Sequence, residues 1–376
     1  MTPTLFIGLM SGTSLDGVDG VLVDFSSPKH LQVLAHTHHP MPLDLKKELL
    51  SLNQPTDNEL HRAAIAANRL ISKVYTPAVQ QLLQKTQTSP KEIQAIGAHG
   101  QTVRHQPHLP HYRAYTIQLN APALLTELTN ITVISDFRSR DIAAGGQGAP
   151  LVCAFHAQQF SQTNKDIAVL NLGGIANLTL LNASKQITGF DCGPANALMD
   201  EWCELHTKQP FDENGAWAAS GSQLPDLLHI MLQEPYFTQL LPKSTGRDVF
   251  NMAWIKQCLK HIPQHQKLKP QDIQATLLEL TAQTAIQALR KYAESTELLL
   301  LCGGGALNTA LTNRLQELAP LHTSIQSTQT YGLPPLQVEA TAFAWLAKQC
   351  LSQQPANTPQ VTGAKSARIL GAIYQA

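Results

Sequence analysis

Short apolar runs alternate with glycine-rich loops along the chain, and longer stretches of helical spacing lie between them. Residues 5–9 and 18–25 are rich in β-branched and apolar side chains and lack helix caps. They are predicted to be the two strands of a hairpin. Residues 31–39 read as a third strand. Residues 43–52 and 59–83 place apolar positions at helical spacing, and Pro90 follows them. Residues 93–98 form a short apolar strand that runs into His99, Gly100, Gln101 and Thr102. Residues 116–119 and 131–135 are further strands, with a short helix at 121–128 between them.

The second half repeats this order. Residues 167–181 read strand, Gly-Gly turn, strand. Residues 187–190 are a strand ending at Asp191, and a helix follows from about Pro194 to His206, with proline near its first turn. Residues 276–292 are helical. Residues 298–302 are a strand entering Gly303, Gly304 and Gly305. A helix at 338–350 starts near Glu339, and residues 369–374 make a last strand. Segments 93–100 and 298–305 occupy matching places after their hairpins. Such a duplication predicts two like α/β domains facing one cleft. The crossing is placed in DFRSRDIAAGGQGAPL, residues 136–151, where Gly145, Gly146, Gln147, Gly148 and Pro150 exclude regular structure. Residues 145–150 are the candidate hinge. The expected domains are 1–135, completed by 345–376, and 136–344.

The loops carry the candidate chemistry. Gly12, Thr13, Ser14, Leu15, Asp16 and Gly17 join the first two strands, and Val18 and Asp19 follow. Small residues let the backbone approach a ligand and turn successive N–H groups inward, a concavity suited to phosphate. Residues 1–25 hold no Lys or Arg, so a phosphate here has no loop lysine to neutralise it. A divalent cation shared between phosphate and Asp16 supplies that charge, and Mg²⁺ suits oxygen ligands. An ordinary hairpin with a Gly/Ser-rich turn fits the same residues. His99 and Gln101 are candidates because ligands gather at strand ends in α/β folds; a structural histidine is the plain alternative. Arg138 and Arg140 can hold a carboxylate or phosphate by paired bonds, or pair internally with Asp136 and Asp141. Asp191 is a candidate base or a helix N-cap. The triple glycine permits close approach of a flat or charged ligand, or makes a tight turn. KSTGRDVFN, residues 243–251, is a polar turn with two cations.

Composition narrows the class. With 376 residues, 43% of them hydrophobic, the chain can bury a large core, and two domains are the default. Net charge is zero and no segment masses Lys and Arg, which argues against nucleic acid as partner. No basic segment precedes an apolar run at the start, and no run of about 18 apolar residues occurs, so neither a signal peptide nor a membrane span is expected. The six cysteines show neither CxxC nor metal spacing. They are expected to be reduced and packed, as in a cytoplasmic enzyme.

GLMSGTSLDGVDG, GAHGQTVRH, DFRSRDIAAGGQGAPL, NLGGIANLT, GFDCGPAN, KSTGRDVFN, CGGGALN and VTGAKS occur in this order, from Leu5 to near Gly371. Together they resemble the anhydro-N-acetylmuramic acid kinase family. That family belongs to the acetate and sugar kinase, heat-shock chaperone and actin superfamily. The resemblance therefore implies an α/β fold of two ribonuclease-H-like, actin-like ATPase domains around a central cleft. It implies ATP and Mg²⁺ as cofactors and 1,6-anhydro-N-acetylmuramic acid as substrate. Phosphorylation of O6 with ring opening by water at C1 would give N-acetylmuramic acid 6-phosphate, in recycling of cell-wall peptidoglycan. It further implies a homodimer.

Residue by residue, Gly12 through Asp19 fit the family's first phosphate loop, with Asp16 toward the metal. Gly173 and Gly174 match the second phosphate loop, and Gly303, Gly304 and Gly305 the adenosine turn. Asp191 stands where the family has its catalytic base. Arg138 and Glu339 carry over to the sugar site, with His99 and Gln101 beside them. Cys192 and Ala195 stand where Thr and Gly are more usual. Two rivals remain: a superfamily enzyme acting on a free sugar hydroxyl or a phosphate ester, and a nucleotide-gated binding protein of the chaperone or actin type.

Overall fold

The computed structural model describes residues 4–12, 14–27, 31–55, 57–107, 109–110, 113–162 and 164–376. Its strands are β1 (Leu5–Ser11), β2 (Gly17–Asp24), β3 (Gln32–Pro40), β4 (Ile93–Gln106), β5 (Tyr115–Leu119), β6 (Val133–Ser135), β7 (Ile167–Leu172), β8 (Ile175–Leu181), β9 (Ile187–Pro194), β10 (Leu298–Cys302), β11 (Ser324–Ser327) and β12 (Ala372–Tyr374). Its α-helices are α1 (Leu43–Ser51), α2 (Glu59–Leu70), α3 (Thr76–Thr86), α4 (Pro122–Thr129), α5 (Ser139–Ala143), α6 (Cys153–Phe160), α7 (Asn196–Thr207), α8 (Ala216–Ala219), α9 (Pro225–Leu232), α10 (Met252–Lys260), α11 (Pro270–Ala293), α12 (Thr309–Leu318), α13 (Val338–Leu351) and α14 (Pro359–Thr362).

One compact unit joins Met1–Phe155 to Leu336–Ala376, and the other is His156–Pro335. The units therefore exchange at 155/156 and 335/336 rather than at 135/136 and 344/345. The reason is local. Asp141 accepts hydrogen bonds from the Gly148 N–H, Asn357 Nδ2 and Thr362 Oγ1 at 2.8, 2.7 and 2.8 Å. The Gln147 N–H donates to the Thr362 carbonyl, and the Lys365 N–H to that of Ala144. Residues 145–150 are thus fastened inside the first unit, which corrects their reading as a hinge. Helix α13 also belongs to this unit as a whole.

In the first unit β1, β2 and β3 form an antiparallel meander, β4 and β6 lie parallel beyond β1, and β12 closes the far edge antiparallel to β6. Helix α13 crosses β1 and β4 where both lack side chains. A Cβ on Gly8 would sit 1.8 Å from the Ala340 carbonyl oxygen, and one on Gly97 2.1 Å from that of Phe343. A buried cluster of Ile7, Leu9 and Val18 with Leu70, Val74 and Leu82 seats α2 and α3 on the sheet. Between these helices Ile71–Tyr75 is a π turn. Pro77, just beyond it, lacks the N–H an α-helix would need there. Strand β4 outruns its apolar segment and continues to Gln106, because β5 pairs antiparallel with residues 101–106 and satisfies their backbone.

The second unit repeats the order. β7, β8 and β9 are an antiparallel meander, and β10 and β11 lie parallel beyond β7. The 24-residue α11 buries Leu277, Leu280 and Ile286 in its core with Leu170, Leu178 and Phe190. Both units thus have the strand order and directions of a ribonuclease-H-like domain, and 93–100 and 298–305 do occupy matching strands. Strand β9 departs from expectation: it runs through Asp191 to Pro194, and α7 starts at Asn196. Opposite it the register shifts, with Asn177 across from Asp191 and Ala176 across from Gly193. Cys192 is the extra residue of a bulge. All six cysteines are unbridged and buried. Among the described residues, no helix is long and apolar enough to cross a membrane.

Candidate active site

The first unit holds the N-terminal loop. Strand β1 ends at Ser11 and β2 begins at Gly17, so the loop proper is 12–16; Thr13 lies outside the described residues. The Leu15 N–H closes the turn on the Gly12 carbonyl at 3.3 Å, and Leu15 takes φ 55°. The Leu15 and Val18 side chains are buried in the core, so these two can offer a ligand only backbone. Asp16 is exposed, and Ser14 Oγ donates to its Oδ1 at 2.8 Å. Asp19 faces β3 instead, with His36 Nε2 and His38 Nδ1 at 3.2 and 3.1 Å from its Oδ1. Burial would raise the Asp19 carboxyl, but the two histidines outweigh it and hold it below its ordinary value. The same bond raises His38 against burial. Asp19 fastens the hairpin.

Three residues outside the loop fix its other side. Ser11 Oγ shares a hydrogen bond with Tyr75 Oη at 2.9 Å and donates to the Gly100 carbonyl at 3.1 Å. Tyr75 is delivered by the π turn, a feature common at functional sites. Gln101 Nε2 donates to the Gly12 carbonyl at 3.0 Å, while Gln101 Oε1 is buried and has no hydrogen-bond partner. Gln101 thus offers an acceptor beside the loop.

Arg138 is oriented by His99. Its Nε and Nη2 reach His99 Nε2 at 3.1 and 2.9 Å, and its Nη1 donates to the Gly148 carbonyl at 2.7 Å. His99 packs on Phe343 of α13 with ring centroids 4.6 Å apart. Burial first, then the Arg138 charge, pushes its pKa well below the ordinary histidine value. His99 is therefore a neutral support for Arg138. Arg140 is exposed. Glu339 is half-buried in the first turn of α13. A cavity of about 260 Å³ beside His99 is lined by Gln118, Asn120, Asp136 and Ser139, among others. Asn120 Oδ1 is buried there without a partner.

The second unit holds the other glycine turns and Asp191. The Gly173 and Gly174 carbonyls accept from the N–H groups of Asn196, and of Ala195 and Ala197, at 3.0–3.1 Å. The start of α7 thereby pins the turn. Gly303 takes φ 79°, and a Cβ on it would meet Asn171 Oδ1 at 2.5 Å. Gly305 is similarly close to Leu172 and to Asn196, whose Nδ2 donates to the Leu172 carbonyl at 2.9 Å. The two glycine turns are thus neighbours, and Asn171 and Asn196, not singled out from the sequence, join them. Asp191 is buried, and its Oδ2 accepts the Thr245 N–H at 2.9 Å. The N-cap of α7 is Ala195, so Asp191 is not a cap.

The family model for anhydro-N-acetylmuramic acid kinase matches residues 4–376. The chain belongs to this family. An anhydro-N-acetylmuramic acid kinase of Albidiferax ferrireducens is 53% identical over 99% of both chains, and one of Variovorax paradoxus is 52% identical over the whole of both. That of Pseudomonas putida is 50% identical over 99% of both. Solved structures align more loosely. The activator of 2-hydroxyisocaproyl-CoA dehydratase from Clostridium difficile covers 93% of this chain and 97% of its own, at TM-score 0.46 and 12% identity. Membership therefore rests on sequence.

Proposed function

We propose that this chain is an ATP-dependent anhydro-N-acetylmuramic acid kinase. It converts 1,6-anhydro-N-acetylmuramic acid, ATP and water to N-acetylmuramic acid 6-phosphate and ADP, a step in peptidoglycan recycling. The observation that carries the reading is the placement of Asp191. It is a buried carboxylate in a bulged strand, held by the Thr245 N–H and without a capping role. The sugar's O6 is bound in an internal ether and has no proton to lose. Water adds to C1, the C1–O6 bond breaks, and O6 takes the γ-phosphoryl group from ATP. Asp191 accepts the proton of the water. A positioned base of this kind contributes roughly 10²–10⁴ in rate.

Backbone N–H groups of the loop at 12–16 and of the glycine turns would hold the phosphates and adenosine. Arg138, aimed by His99, would take the lactyl carboxylate. Gln101 Oε1 and Asn120 Oδ1 offer acceptors to hydroxyl or amide hydrogens, with Glu339 on the same sugar. Among the described residues no three His, Cys, Asp or Glu side chains converge on a metal position. The exposed Asp16 alone fits an ion that keeps mostly water and phosphate ligands, as Mg²⁺ does. When bound, Mg²⁺ would neutralise charge on the phosphates. A homodimer and a cytoplasmic location are part of the same proposal. The deciding assay is ADP release with 1,6-anhydro-N-acetylmuramic acid, with the sugar phosphate confirmed by mass. ATP turnover indifferent to the sugar would instead favour the nucleotide-gated binding protein.

A further inference from the structure

The turn of residues 243–245 lies against Asp191 in the same unit. Lys243 is only 5% exposed. Its Nζ donates to the Tyr236 and Phe237 carbonyls at 3.3 and 3.5 Å and stands 4.6 Å from the Tyr236 ring centroid. Tyr236 Oη in turn donates to the Asp191 carbonyl at 2.7 Å. The Asp191 N–H points to the Lys243 carbonyl at 3.4 Å, and the Thr245 N–H meets Asp191 Oδ2 at 2.9 Å. Lysine, turn and carboxylate form one tied cluster around the Cys192 bulge.

Carbonyls can orient a buried ammonium but cannot neutralise it, and burying an uncompensated charge is costly. Its neighbours divide clearly. Burial, with the Asp191 charge behind it, raises the Cys192 thiol and the Tyr236 phenol far above neutrality, so both stay uncharged. Burial, the largest effect, and the nearby Lys291 lower Lys243, while Cys192 and, more weakly, Asp191 oppose them, and the net direction is down. Beyond these, Arg247 of the same turn pairs with Glu201 at 3.4 Å. With the thiol and the phenol neutral, Asp191 is the carboxylate whose charge favours the Lys243 ammonium. Burial in general favours the neutral form of a carboxylic acid, which cannot accept a proton, and a nearby positive charge favours the ionised form.

We propose that Lys243 is a positioning residue for Asp191: through its turn it fixes one carboxylate oxygen, and it supplies the buried positive charge that favours the ionised base. This rests on Asp191 being the base of the proposed reaction. The test is the pH profile of kcat for the full chain and Lys243→Met, with ATP and the anhydro sugar saturating. The acid limb moves up by about one pH unit in the variant, the size of shift a nearby opposite charge produces. Both KM values stay within about twofold. A reduced kcat with the limb unmoved would overturn the proposal and leave Lys243 a packing residue. Should Lys243→Met not fold, Thr245→Pro, which removes the N–H donor, is compared with Thr245→Ala, which keeps it. The limb lies higher in the proline variant, and coincident profiles overturn the proposal. Wild-type chain without sugar-dependent ADP release would instead sink the kinase reading itself.

Discussion

Two donors of Arg138, Nε and Nη2, converge on one atom of His99, Nε2. Arginine has no acceptor, so that nitrogen must carry the lone pair. The proton of His99 therefore sits on Nδ1 and the ring is neutral. The pair is a scaffold for a guanidinium.

His99→Ala should release Arg138 and raise the KM for the sugar by about tenfold, the worth of a charged hydrogen bond. The KM for ATP should move less than twofold. Steady-state kinetics with each substrate varied will show this. Equal changes in both would mean that His99 only supports the fold.

Asp191→Asn keeps an oxygen able to accept the Thr245 N–H but cannot take a proton. Turnover should fall roughly 10²–10⁴-fold, with ATP and sugar binding by calorimetry nearly unchanged. Near-normal turnover would refute Asp191 as the base.

Asp16→Asn tests the metal. The Mg²⁺ concentration for half-maximal rate should rise roughly tenfold or more, while the KM for the sugar stays put. A Mg²⁺ dependence identical to wild type would remove Asp16 from the ion's surroundings.

His156 gives a pH prediction independent of catalysis. Burial depresses its pKa to about 3, and its Nδ1 lies 2.8 Å from Thr179 Oγ1. The unfolded chain binds a proton there near pH 6.5, and the folded chain does not. Stability from this group is therefore complete above that range and declines from about pH 6.5 toward pH 3, by about 1 kcal/mol at pH 5.5. The thermal midpoint should fall between pH 7 and 5.5, and less steeply in His156→Gln. Parallel slopes would contradict this.

Both hairpins were legible in the sequence because dense β-branched runs flank glycine turns. The matching strands 93–98 and 298–302 were legible for their unbroken apolar character. The extension of β4 through Arg104 and His105 was not, since its stability comes from pairing with β5 and not from its own residues. Asp191 stands out in the sequence by its motif, but its setting in a bulge depends on the register of β8. Its partner is a backbone N–H of Thr245, a donor that no residue type advertises. The unit boundary was misplaced because a glycine-rich segment resembles a linker. Only the distant Asn357 and Thr362 show that Asp141 pins it down.

Strand β12 and helix α13 complete a sheet whose other strands all precede Phe155. On the ribosome, the first unit is therefore completed only after residues 336–376 have been made, whereas His156–Pro335, made before them, already holds all the strands of its own sheet. Until then the outer edge of β6 and the side-chain-free surface at Gly8 and Gly97 stand bare. Prematurely ended translation would leave a nascent chain with one finished half and one sticky, half-built half.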